Sequence, residues 1–63
     1  MADDEMRNEL IGKNVLIFLL NGFKYEGIVL DVTEKIILIR DIKVGVLGLN
    51  FDSIKEIKEV RDG

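Results

Sequence analysis

The sequence predicts an all-β fold, a small, strongly bent five-stranded barrel with a short N-terminal α-helix, and three observations predict it. Residues 15–32, VLIFLLNGFKYEGIVLDV, form two apolar runs around Asn21-Gly22, the dipeptide that most readily takes the positive backbone angles of a type I′ hairpin turn. The second run carries Gly27 near its centre, where a missing side chain marks a bulge, a sharp bend or a close backbone approach. Polar breaks at 33–35 and 41–43 divide the rest of the chain into further short runs rich in β-branched and aliphatic residues. A long hairpin whose second strand bends is the seed of a small barrel.

Residues 2–11 read as a short helix, with Asp3 or Asp4 as N-cap, acids in the first turn where the helix dipole favours them, and Met6, Leu10 and Ile11 on one face. Gly12 stops it. The alternative is an acidic arm that orders only at Leu10, because so short a helix is marginal without packing. The first strand, 14–20, is apolar on both faces, so one face lines the core and the other needs cover from the N-terminal helix or a neighbouring subunit. The second strand starts at Phe23 and alternates Phe23, Tyr25, Gly27 and Val29 with Lys24, Glu26, Ile28 and Leu30. The latter set changes from charged to apolar after Gly27, which places there a bend that carries the strand from one layer toward another.

Thr33-Glu34-Lys35 is a polar turn into a third strand at 36–40, and Asp41-Ile42-Lys43 is a tight connection into a fourth at 44–49, whose Gly45 and Gly48 permit strong curvature. The C-terminal stretch admits two readings. Ser53-Ile54-Lys55-Glu56 fits a helix capping box, and Ile54, Ile57 and Val60 recur at a spacing of three. A single turn at 51–54 followed by a strand at 55–60 is the favoured one, because four strands would leave an apolar edge unpaired. The chain is thus one domain over 1–63, with a helix or arm at 1–12 and the barrel at 14–60.

Length and composition set limits on what such a domain can be. A chain of 63 residues buries about 60% of the surface its unfolded form exposes, and with no cysteine it has no disulfide to compensate. Apolar residues nevertheless make up 48% of it, in unbroken runs that a lone small barrel with a wet face does not need, so oligomerisation is expected to hide the excess. The longest apolar run, 15–20, is far shorter than the ~20 residues that span a bilayer, and the polar, acidic start is unlike a leader; a soluble, cytoplasmic protein without a membrane partner is expected. Residues 1–9 hold Asp3, Asp4, Glu5 and Glu9 against Arg7, which accounts for the net charge of −3, while residues 10–63 balance eight acids with eight bases. Such a neutral barrel lacks the basic stripe that grips duplex DNA.

Catalysis has little to stand on. There is no histidine or cysteine, Ser53 is the only serine, and no carboxylates pair at a spacing that suggests acid and base roles. No glycine-rich phosphate loop precedes a lysine and a helix. Asp3-Asp4-Glu5 reads as a capped helix start rather than a metal site, and neither a metal nor a cofactor is expected.

The segment IFLLNGFKYEG at 17–27 is similar to the first signature of the Sm and LSm proteins and resembles still more the matching segment of the Hfq family. The likeness runs on through IILIRD at 36–41 and, more loosely, through NFDSI at 50–54. It implies an Sm-like (SH3-like) barrel that closes into a ring of about five to eight subunits by pairing the fourth strand of one copy with the fifth of the next. It also implies a noncatalytic protein that binds single-stranded RNA. Where the family holds uridine-rich RNA, this chain has Thr33, Glu34 and Lys35 in the first half of the pocket and Asn50, Phe51 and Asp52 in the second, with no histidine and with a carboxylate near phosphate, so the uridine pocket is expected to be absent.

On the opposite ring face, where the family accepts adenine-rich RNA, Phe18, Gly22, Phe23, Lys24 and Tyr25 match as RNA-binding positions, and an A-rich strand is favoured over a U-rich one. Stacking on an aromatic ring is worth about 1–3 kcal/mol per base and needs no basic groove. Glu26 departs from the family amide, since a carboxylate accepts hydrogen bonds but donates none. Two other functions stay open beside this one. Phe18, Phe23 and Tyr25 in strands equally suit packing, which fits a divergent ring acting as a structural or protein-interaction scaffold. A monomeric SH3-like adaptor binding a peptide along Tyr25 is the third.

Overall fold

The computed structural model describes residues 9–60. Five strands, β1 (Asn14–Leu19), β2 (Lys24–Val32), β3 (Ile36–Asp41), β4 (Gly45–Asn50) and β5 (Ile54–Glu59), form one antiparallel sheet in the order β4-β3-β2-β1-β5. The expected helix over 2–11 falls mostly outside the described residues. At its last positions the chain turns instead, with the Lys13 N–H donating to the Leu10 carbonyl at 2.9 Å and Gly12 taking a positive φ of 87°.

The first half of β2 pairs with β1, from Phe18↔Lys24 to Asn14↔Ile28, and its second half pairs with β3, from Gly27↔Asp41 to Val32↔Ile37. One strand therefore serves both layers, and it bends where the two pairings overlap. Gly27 makes the overlap possible: a Cβ there would run into the carbonyl of Arg40. The register then slips between Val29 and Asp31, a bulge that adds to the curvature.

The hairpin turn differs from the expected type I′. Phe18↔Lys24 pairing leaves Leu20, Asn21 and Gly22 as a three-residue loop, closed by Leu19 N–H to Phe23 O at 2.8 Å and Gly22 N–H to Leu19 O at 3.1 Å. A type I′ turn needs two positive φ angles, and only Gly22 has one, at 94°. The Asn21 side chain instead accepts the Phe23 N–H through Oδ1 at 3.0 Å, the usual work of an asparagine inside a turn.

Of the two C-terminal readings the strand is the one formed, after a single 3₁₀ turn at Phe51–Ser53. The three-residue spacing of Ile54 and Ile57 has a β explanation: Ile57 pairs with Ile17 and Ile54 with Leu19, and the register slips between Phe18 and Leu19. That bulge absorbs one residue and lets both isoleucines face the core. Val15, Ile17 and Leu19 of β1, Val29 of β2, Ile37 and Ile39 of β3, and Leu49 of β4 are buried at its centre. Each contributes about 1.5–3 kcal/mol by burial, the main force holding the barrel closed. Tyr25, Leu47, Ile54 and Ile57 pack against them from the rim. The edges β4 and β5 each pair on one side only among the described residues.

Candidate functional site

The outward face of the sheet follows from the alternation of β1. Asn14, Leu16 and Phe18 point away from the core, and the register sets Leu16 between Glu26 of β2 and Lys58 of β5, and Phe18 between Lys24 and Glu56. An apolar row is thus flanked on both sides by charges of both signs. Phe18 is half-buried there, with the Lys58 Nζ 5.9 Å from its ring centroid, within cation–π range.

The structure divides the five residues expected to contact RNA. Phe18 and Lys24 are cross-strand partners on the outer face. Phe23 stands at the loop tip next to Gly22, with 65% of its surface exposed, so it is no core residue. Tyr25 pairs with Ile17 and packs against the core with its body half-buried. Phe18, Gly22, Phe23 and Lys24 therefore share one end of the hairpin, while Tyr25 belongs to the neighbouring recess.

That recess, of about 310 Å³, is lined by Leu16, by Lys24, Tyr25 and Glu26 of β2, and by Asp41, Ile42 and Lys43. Gly27↔Asp41 pairing brings the β3–β4 turn alongside β2, a proximity that sequence reading missed although it identified the turn itself. Asp41, buried, organises the turn: its Oδ1 accepts the N–H groups of Lys43 at 2.7 Å and Val44 at 3.2 Å, and its Oδ2 accepts that of Glu26 at 3.4 Å. The hydrogen bond from the Lys43 backbone holds the carboxyl below the ordinary aspartate value, helped by the Val44 and Glu26 N–H groups and the Lys43 charge and opposed by burial. An aspartate opening a three-residue connection between strands is the signal that could have been read.

The two halves of the uridine-pocket region also meet, since the Phe51 N–H donates to the Lys35 carbonyl at 2.8 Å. Thr33 and Asn50 are engaged locally. Thr33 Oγ1 accepts the N–H groups of Lys35 and Ile36, at 3.2 and 3.0 Å, and Asn50 Oδ1 accepts that of Asp52 at 2.9 Å. The exposed Asp52 leaves a carboxylate there. Among the described residues no group of three or more His, Cys, Asp and Glu side chains is placed to hold a metal, and no helix is long and apolar enough to cross a membrane.

A five-stranded antiparallel sheet whose second strand bends across two layers, with a 3₁₀ turn between its two edge strands, defines a small barrel of the Sm type. The chain is similar to the 1.55 Å crystal structure of the pleiotropic translational regulator Hfq, with a TM-score of 0.82 over 92% of this chain and 98% of that one, at 15% sequence identity. No protein-family model matches the sequence, and no curated protein matches it. The fold is Sm/Hfq-like, and the sequence that builds it is divergent.

Proposed function

We propose that this chain is a noncatalytic, cytoplasmic, ring-forming protein of the Sm/Hfq kind that binds single-stranded RNA. The observation that carries the reading is Phe23, an aromatic ring exposed at the hairpin tip beside Lys24 on an Hfq-like barrel. A bare ring next to a cation offers a base a stacking platform and a phosphate a partner. Phe18, Gly22, Phe23, Lys24 and Tyr25 form the contact region. The strand taken is A-rich rather than U-rich, because Asp52 sets a negative charge in the uridine region.

Ring closure is supported by the two sheet edges that are unpartnered among the described residues and by Val46 of β4 and Val44 just before it, 55% and 62% exposed. A long apolar edge of this kind is a template for a second chain, and pairing β4 with β5 of the next copy would cover it in a ring of about five to eight. A second reading, a ring that serves as a scaffold without RNA, is favoured by the carboxylates of Asp52 and Glu26 where RNA would lie.

Native mass spectrometry of the protein alone and with short oligo-A or oligo-U separates these readings. A closed ring that carries oligo-A and not oligo-U is the expected spectrum. A ring that takes neither strand would establish the scaffold, and a monomer would refute ring assembly and leave a peptide-binding adaptor.

A further inference from the structure

The recess beside β2 has free groups of both signs. The Glu26 carboxylate accepts no hydrogen bond and joins no ion pair among the described residues, and the Lys24 and Lys43 ammonium groups are likewise unpaired. Asp41 differs, because its oxygens are taken by three backbone N–H groups. The recess is thus lined by one available acceptor-only group and two available cations, together with Leu16 and Tyr25. Its volume of about 310 Å³ lies at the lower end of the range for small-ligand sites.

A carboxylate accepts through both oxygens and donates nothing, so its best planar partner is a pair of parallel N–H donors. Of the four RNA bases, guanine alone has that pair, its ring N1–H beside its exocyclic amino group. Adenine and cytosine set one amino group next to a ring-nitrogen acceptor, which would face the carboxylate lone pairs, and uracil has a single N–H between two carbonyls. A peptide arginine has the donor pair too, but Lys24 and Lys43 would repel it, whereas they suit the phosphate that accompanies a nucleotide.

We infer that this recess selects a guanine base, with Glu26 accepting its N1–H and amino group and Lys24 and Lys43 meeting the adjoining phosphate. The inference rests on the RNA-binding reading above for its source of guanine, single-stranded RNA. A free guanine nucleotide presents the same chemistry.

The test is fluorescence anisotropy with labelled oligo-A, oligo-U and a strand of mixed A and G, on the wild type and on Glu26→Gln, with unlabelled GMP titrated separately by calorimetry. Glu26 is exposed and its variant nearly isosteric, and a circular dichroism melt checks that the fold is kept. The mixed strand should bind the wild type about tenfold tighter than oligo-A. Glu26→Gln should bring that ratio to about one or below, because an amide donates to adenine as well as accepting. Equal binding of both strands by the wild type, or a ratio that survives Glu26→Gln, overturns the guanine inference while RNA binding stands. Binding of GMP but of no RNA strand keeps the guanine site and overturns RNA as its source. Binding of neither overturns both.

Discussion

Replacing Gly27 by alanine tests the structural reading most directly, because the obstacle is backbone rather than side chain. An added Cβ would penetrate the Arg40 carbonyl oxygen and lie 2.8 Å from its carbon and 3.1 Å from the Asp41 nitrogen. Those atoms cannot step aside singly, since Arg40 and Asp41 are also paired with Val46 and Gly45 of β4. Relief requires β2 to part from β3 at this rung. Overpacking costs about 1–3 kcal/mol, and a lost ladder hydrogen bond adds about 1 kcal/mol, so Gly27→Ala should destabilise by about 2–4 kcal/mol. A domain of this size holds roughly 3–9 kcal/mol in all, and the melting temperature should fall by about 10–30 °C. Gly48→Ala is the control. A Cβ at Gly48 meets only the Cδ1 atoms of Ile36 and Leu38, at 3.7 and 3.8 Å, so the change should be neutral or stabilise by about 0.4–1 kcal/mol. Urea and thermal denaturation followed by far-ultraviolet circular dichroism, at one protein concentration, measure both. A Gly27→Ala midpoint within about 0.5 kcal/mol of wild type would refute the close approach of β2 and β3.

Asp41 gives the barrel an acid limit. Its folded carboxyl lies below the unfolded value of about 3.9, so the stability it contributes is complete above that pH and is lost as pH falls through the folded value; the stability gap between wild type and Asp41→Asn should hold from pH 7 to about 5 and shrink below about 4 in denaturant titrations. Thr33→Val should cost about 1 kcal/mol by the same measurement, because the N–H groups of Lys35 and Ile36 lose their acceptor. Phe23→Ala should leave the melting temperature unchanged and weaken oligo-A binding roughly 5- to 150-fold, the equivalent of about 1–3 kcal/mol for one stacked base; unaltered anisotropy titrations would remove Phe23 from the site. Val46→Glu faces Arg40 across the ladder, so the subunit fold should survive, whereas the charged edge should turn the proposed ring into monomers in native mass spectra.

The strands were legible because their signals are local. Apolar alternation, the polar breaks and a glycine inside a run act within a few residues, and each left the trace that its physics requires. The turn type was less so, since Asn-Gly at a hairpin serves two loops, and the choice depends on whether the asparagine gives its own backbone to a positive φ or its side chain to the next N–H. Here the Phe23 N–H takes the side chain. The C-terminal stretch shows why period alone cannot decide between helix and strand. Ile54 and Ile57 at a spacing of three suit a helix, yet a bulge opposite Phe18 and Leu19 turns the same spacing into two inward residues of β5. Nothing in residues 53–60 encodes that bulge; it exists because β1, far earlier in the chain, offers the partner.

The candidate site was half legible for a related reason. Lys24, Tyr25 and Glu26 stand together in the sequence, but strand alternation sends neighbours to opposite faces, so contiguity along β2 could not by itself say which of them share a surface. The ladder decides it. Phe18 meets Lys24 and Leu16 meets Glu26 through β1, and the Gly27↔Asp41 rung swings Ile42 and Lys43 in from the other side. The residue that lets β3 come close enough for this is Gly27, the position that lacks a side chain. A glycine read as a bend is thus also what builds the wall of the recess, and any substitution that pushes β3 away there should disturb the recess and the fold together.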